Sequence, residues 1–459
     1  MRDETHTTPN APNAPNAPRK DRSWWTRRGL AAAGALLLAT AAAAPAVAAA
    51  PAATAPSAAA KAPAGPAAPA TSVAGLAEPP PRTAAGSTSA SRGALISVTP
   101  VAVHDAEQVR KFLAEYGTAA DSVRHGVRAY KLTYRTVDPH GKPTTATGLL
   151  TLPIGGAHRL DVVSDTHGTM VNRSYAPSVA EDYGRIPSYL NAGAGRAVAA
   201  PDYLGLGEGP GRHPYLDNRS AVTASVDMLR AASTAADRLG RPLTGDVYAT
   251  GFSQGGQVAM ALGRALQEGA DRHFRLKALA PINGPYDLEG HEIPALFDGR
   301  VNDTSGVLYA SYWLVAQNRL RPLYQDPAEA FRAPYASRVE DLYDGEHSEE
   351  EILAALPATV EQMLTPAFRA KMQHPSGALL AAMRAADRAC DWKPAAPVRL
   401  YAASGDTDVP IGNATSCAAR LAAHGAHAPV LDQGDLGHTD SFKAAAPKVT
   451  RFFDAVRDR

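Results

Sequence analysis

Asp246-Val-Tyr-Ala-Thr250 followed by Gly251-Phe-Ser-Gln-Gly255-Gly256 is the stretch on which the reading of this chain turns. Val247–Ala249 is a short apolar run of strand type, and Gln254–Glu268 has the spacing of a helix. Between them the chain must reverse tightly. A Gly-x-Ser-x-Gly pattern alone is weak, because a glycine-rich chain of this length meets it by chance. Set between a strand and a helix, it specifies a turn that lifts the Ser253 hydroxyl above a sheet edge, as a nucleophile requires. The plain alternative is a β-to-α turn whose serine caps the helix.

Outward from this turn, short apolar runs recur at Leu160–Val163, Ala197–Ala200, Leu276–Ala280 and Val398–Ala402, and helix-length segments such as Ala221–Leu239 separate most of them. Strands alternating with helices predict an α/β fold, a mainly parallel central sheet flanked by helices. Before it, Ala94–His104 reads as a strand and Ala106–Tyr116 as a helix. Arg128–Val137 and Thr144–Leu152 are two strands joined by the turn Asp138-Pro-His-Gly-Lys142. From Tyr286 to about Asp391 the strand signal disappears. Amphipathic helical segments replace it, one opened by the capping box Ser348-x-x-Glu351. This is the expected signature of an inserted helical cap, about residues 286–391. The acidic cluster Asp344–Glu351 lacks Ca²⁺-loop spacing and suits a helix start instead.

A serine hydroxyl needs a base, and the base a carboxylate that orients it. Both follow in chain order. Ser404-Gly-Asp-Thr-Asp-Val-Pro410 comes after the strand Val398–Ala402 and offers Asp406 and Asp408. Gly434-Asp-Leu-Gly-His438 follows a further short strand and precedes a last helix around Phe442–Val456. These positions lie just beyond strand C-termini, where sites of open parallel sheets form. The oxyanion of an acyl-transfer intermediate needs two backbone donors. The N–H of Gln254 is one; the turn Ser164-Asp-Thr-His-Gly-Thr169 supplies the other, the N–H of Thr169. His167 has no ligand cluster around it that would make it a metal site. Gly205-Leu-Gly-Glu-Gly-Pro-Gly211 fails as a dinucleotide loop, because Pro210 takes the third glycine position and no helix opens there.

Taken in order, Asp165-Thr-His-Gly-Thr169, Ala200-Pro-Asp-Tyr-Leu-Gly-Leu-Gly207, His213-Pro-Tyr215, Gly251-Phe-Ser-Gln-Gly-Gly256 and Gly284-Pro-Tyr-Asp287 resemble the secretory-lipase branch of the α/β-hydrolase superfamily. That branch includes fungal lipase-A-type enzymes and extracellular actinobacterial lipases and esterases. The resemblance spans roughly Ala94 to Arg459. It implies a serine hydrolase acting on a small-molecule or lipid ester, with Ser253 as nucleophile, His438 as base and a helical cap over an acyl pocket. It implies no cofactor and no metal. The family's acid loop resembles Asp-x-x-Val-Pro, which by counting back from Pro410 selects Asp406 over Asp408. A serine peptidase or acyltransferase would use the same triad, and a dead binding module would have lost it.

Composition sets the remaining bounds. The 459 residues carry 46 basic and 45 acidic side chains, a formal charge of +1, which leaves no electrostatic footprint for nucleic acid. Residues 1–48 combine a basic region, Thr26-Arg27-Arg28, an apolar run from Gly29 and a small-x-small site at Ala46-Val-Ala48. They read as a cleaved, twin-arginine-like export signal. The Leu-rich part is shorter than the ~20 apolar residues of a membrane span, so no stable span is expected in the mature protein. Residues 49–92 read as a disordered Ala/Pro-rich linker, and residues 93–459 as the catalytic domain of a secreted protein. Cys390 and Cys417 are the only cysteines, and in an exported chain they predict one disulfide.

Overall fold

The computed structural model of the chain describes residues 91–458. The readings of an export signal at 1–48 and a linker at 49–92 lie outside the described residues, apart from Ser91 and Arg92. Arg92 is already held, its Nε 3.0 Å from Asp227 Oδ2.

Nine strands are described: β1 Leu95–His104, β2 Gly126–Val137, β3 Pro143–Ile154, β4 Leu160–Thr166, β5 Ala197–Pro201, β6 Leu243–Phe252, β7 Arg275–Ile282, β8 Leu400–Ala402 and β9 Val430–Asp432. They form one sheet in the order β1-β2-β3-β5-β4-β6-β7-β8-β9. The pairs β1/β2, β2/β3 and β3/β5 are antiparallel, and every pair from β5 to β9 is parallel. The helices of eight residues or more are α1 Ala106–Glu115, α2 Ile186–Gly193, α3 Asn218–Arg238, α4 Gln254–Gln267, α5 Asp303–Leu320, α6 Pro366–Gln373, α7 Gly377–Asp387, α8 Gly412–Ala423 and α9 His438–Arg457.

The parallel strands are apolar on both sides because both faces are covered, and successive residues go to opposite layers. Val162, Ala197, Ala199 and Val247 pack under α3 with Met228, Leu229 and Ala232. Their neighbours Val163, Val198 and Tyr248 pack on the other face with Leu190 of α2 and Phe442 and Phe453 of α9. Helix α2 escapes a reading by periodicity because all eight of its residues are buried. A helix enclosed all round has no polar face to betray its spacing.

Strand β4 is flanked by β5 on one side and β6 on the other, so the winding of the chain reverses there. Such a switch point opens a crevice at the C-terminal ends of the strands. Between β7 and β8 the chain is mainly helical; its named pairings among the described residues are two isolated bridges, Phe331 with Leu364 and Val398 with Leu279 of β7. The Ser348 capping box is formed as its spacing predicts and opens the helix Glu349–Ala355. Cys390 and Cys417 are bonded, joining the turn after α7 to α8 with Cα atoms 5.3 Å apart. No helix among the described residues is long and apolar enough to cross a membrane.

Candidate active site

Ser253 sits between β6 and α4 with φ 56° and ψ −123°. For a residue with a Cβ this backbone is strained, and it persists only where the surroundings enforce it. The glycines beside it show how. A Cβ on Gly251 would stand 2.2 Å from Gly255 O and from Thr166 Oγ1, and one on Gly255 only 1.8 Å from Thr166 O. The turn is thus pressed against the end of β4, and the Ser253 N–H is held by Ile282 O at 2.9 Å. The Ser253 side chain makes no capping hydrogen bond to its helix, so the plain reading as an N-cap serine fails.

The loop after β4 runs alongside: a Cβ on Gly168 would lie 3.4 Å from Ser253 Cβ. Thr169 follows in the same loop, with its hydroxyl 2.8 Å from Tyr215 OH. The ring nitrogens of His167 face the carbonyls of Gly168 and Asp202 at 2.7 and 3.2 Å. Among the described residues no group of three or more His, Cys, Asp or Glu could hold a metal ion. His213 has a role that its motif does not disclose. Its Nδ1–H donates to Leu204 O (3.0 Å), leaving Nε2 to accept from the Gln254 side-chain amide (3.0 Å). Burial pushes its pKa down to about 3, so it remains neutral and anchors the first residue of α4.

His438 and Asp406 meet at the far side. The β8 and β9 exits are tied by Gln433 N–H to Ala402 O (2.7 Å) and Gly405 N–H to Gly434 O (3.1 Å). His438 Nδ1 then lies 2.7 Å from Asp406 Oδ2, and both groups are buried. The other oxygen, Asp406 Oδ1, accepts the N–H groups of Asp408 and Val409 at 2.9 and 3.0 Å. With Nδ1–H given to the carboxylate, Nε2 carries the lone pair of the neutral ring; it is buried with no hydrogen-bond partner. Burial alone would lower the imidazole pKa, but Asp406, supported by Asp408 and Glu292, holds it up at about 8. The ring packs on Phe252, centroids 4.6 Å apart.

Of the two aspartates of the loop, Asp406 is the one that bonds the amides of this turn. Asp408 turns to α5, accepting from Asn302 Nδ2 (2.6 Å), Ser305 Oγ (3.0 Å) and Tyr309 OH (3.1 Å). The last helix begins at His438 rather than near Phe442, because Gly437, in extended conformation, serves as its N-cap. Asn283 is a residue that motif reading missed. It takes φ 48° directly after β7, and its Nδ2 donates to His438 O (3.1 Å) and Ser441 Oγ (2.6 Å). Asparagine is among the few side chains that tolerate that backbone, which is the one signal it leaves in the sequence.

A mainly parallel sheet covered on both faces, with a serine elbow, a buried carboxylate–imidazole pair and a glycine loop at its C-terminal edge, is an α/β-hydrolase fold. Solved structures agree. A hydrolase of Legionella pneumophila is 25% identical, with 79% of this chain and 98% of that one covered and a TM-score of 0.73. The rice cell wall degrading esterase LipA of Xanthomonas oryzae is 28% identical over 80% of this chain and 99% of its own, TM-score 0.72. Candida antarctica lipase A shares the fold at 13% identity, covering 78% of this chain and 83% of that one, TM-score 0.57. No family model and no curated protein matches the chain. The chain is thus related to the α/β-hydrolases that include esterases and lipases.

Proposed function

We propose that the protein is an exported serine hydrolase that cleaves carboxylic esters through an acyl-enzyme. The observation that carries this reading is the 2.7 Å bond between His438 Nδ1 and Asp406 Oδ2. It stands at the same sheet edge as Ser253, a serine kept strained and excused from capping its helix. The likeness to an esterase adds the substrate class.

In this mechanism His438 Nε2 takes the Ser253 proton as the hydroxyl oxygen attacks the ester carbonyl. Asp406 keeps the ring in the tautomer that leaves Nε2 free and stabilises the imidazolium that forms. The negative charge moves to the carbonyl oxygen, facing the N–H groups of Thr169 and Gln254, each worth ~10²–10³ in rate at comparable sites. The first N–H groups of a helix have no intrahelical acceptor, which suits Gln254 to this task. The imidazolium returns its proton to the alcohol as the C–O bond breaks, giving an acyl-serine. Water, deprotonated by the same nitrogen, then releases the acid.

Residues 286–391 serve as a cap over the acyl pocket, and residues 1–48 direct export, with 49–92 as spacer. The Cys390–Cys417 bond fits an oxidising compartment. Labelling with a fluorophosphonate probe, mapped to Ser253, and a panel of p-nitrophenyl esters from acetate to palmitate test the proposal. Labelling at Ser253 with turnover of medium or long acyl chains is expected. Absence of both overturns it.

A further inference from the structure

The reaction as written leaves a buried carboxyl beside the site unused. Glu292 closes the π-turn Leu288–Glu292, its N–H bonded to Asp287 O at 2.9 Å, where the chain enters the helical insertion. Wide turns of this kind gather at functional sites. The residue is 8% exposed, and its Oε2 accepts from Asn413 Nδ2 at 2.7 Å. The Asn413 amide cannot be reversed. Its Oδ1 already accepts the Asp287 N–H (3.0 Å), and its Nδ2 also donates to Pro410 O (3.2 Å), the end of the loop that carries Asp406. One amide thus joins the first turn of the insertion to the acid loop.

The charges around Glu292 come from four further segments. Asp406 and Asp408 of the acid loop and His438 of α9 act on it, while it acts on Tyr215, before α3, and on Arg300, before α5. Burial pushes its carboxyl up to about 8. Asp406 and Asp408 push the same way, against the Asn413 bond and His438. His438 sits at about 8 as well. Neighbouring groups that lose protons over one range do so as a unit.

We propose that Glu292 is a positioning residue for His438: it steadies the acid loop through Asn413, and its charge selects between the neutral and the protonated imidazole. With the proton on Glu292, the ring is free to act as base. With Glu292 ionised, the ring holds its proton more tightly and becomes a base only at higher pH. The inference rests on His438 being the base.

Glu292→Gln separates the charge from the contact, since the Gln carbonyl still accepts from Asn413. The His438 ring should then titrate in a single step, lower by on the order of half to one pH unit, where the wild type shows a broadened or two-step transition. Ring-labelled histidine NMR in the Ser253→Ala background reads this without turnover, with the His438 signal assigned by its loss in His438→Gln. In the active enzyme the acid limb of kcat/KM should move down equally. Glu292→Gln would then match wild type at about pH 6, where Glu292 is itself protonated, exceed it between about pH 7 and 8.5, where wild-type Glu292 ionises, and match it again at about pH 10. Glu292→Asp, which keeps the charge, should keep the broadened transition. If Glu292→Gln does not fold, Glu292→Met removes the same charge and carries the same expectation. A His438 titration unchanged by loss of the charge overturns the inference, whether or not the protein hydrolyses esters. A shifted ring titration in a protein without esterase activity upholds the coupling and overturns only the proposed reaction.

Discussion

Ser253 is one of four non-glycine residues at positive φ among the described residues, and its side chain makes no capping hydrogen bond to its helix to compensate. If that strain is retained for one activated oxygen, Ser253→Ala should cost on the order of 10⁶ in kcat and leave folding intact. Steady-state assays beside thermal melts check both halves. Asp406 and Asp408 stand two residues apart with opposite commitments. Asp406→Asn should lower kcat by ~10⁴, because the ring loses its fixed tautomer. Asp408→Asn should change kcat less than about tenfold but destabilise by roughly 1–3 kcal/mol, since one buried and two half-buried donors lose their charged acceptor. The reverse ranking in kcat would move the acid to Asp408. For His438, held at about 8 by its carboxylate neighbours, kcat/KM should rise with pH through about 8, because only the neutral ring accepts a proton. A limb below pH 6.5 would contradict that environment.

At the scale of elements, the helical insertion and the acid loop are fastened at three places. Asn302 caps α5 and binds the loop, donating its N–H to Thr407 O at 2.8 Å. Asn413 joins Asp287, Glu292 and Pro410. The Cys390–Cys417 bond closes a sequence separation of 27 residues around β8 and the loop. In the chain-entropy account such a loop contributes about 3–4 kcal/mol. Replacing both cysteines with alanine should therefore lower the denaturant midpoint by a corresponding amount. The same double variant should lose activity on heating earlier than it loses helical signal, because the bond spans the segment that carries Asp406. Coincident loss of the two would mean that the bond stabilises the fold uniformly.

Across the whole molecule, several buried groups bind protons more tightly folded than unfolded. His438 contributes stability that is complete below about pH 6.5 and lost as pH rises through about 8. Glu292 and Asp165, which burial raises to about 8 and about 7, are neutral in the fold at pH values where the unfolded chain has already ionised them. Their ionisation therefore also costs stability as pH rises. His213, depressed to about 3, acts in the other direction only below about 6.5. Between pH 6.5 and 8 the three terms share one sign. The melting temperature should fall by several degrees over that range while kcat/KM climbs, and the fall should be smaller in Glu292→Gln. Calorimetry in buffers of matched ionic strength would detect it; a melting temperature that rises with pH contradicts the assignment.

What could be read from the residues alone was whatever depends on local order along the chain. The strand–turn–helix around Ser253, the two-sided apolar strands and the capping box at Ser348 are properties of neighbours in sequence, and the succession of a serine, an acid loop and a histidine is a matter of chain order. The residues alone left Asp406 and Asp408 both open; the family resemblance, counted back from Pro410, implied Asp406, whose carboxylate lies on His438. Other contacts arise between segments far apart in the chain, so no window of sequence holds them. Gln254 against His213, Asn283 under His438 and Glu292 on Asn413 are separated by 41, 155 and 121 positions. Helix α2 was hidden for the opposite reason, since burial on every side erased its periodicity. Local pattern sets which elements form and which side chains reach the sheet edge. Packing sets which of them touch, because a buried polar group takes whatever partner the assembled layers bring within about 3 Å.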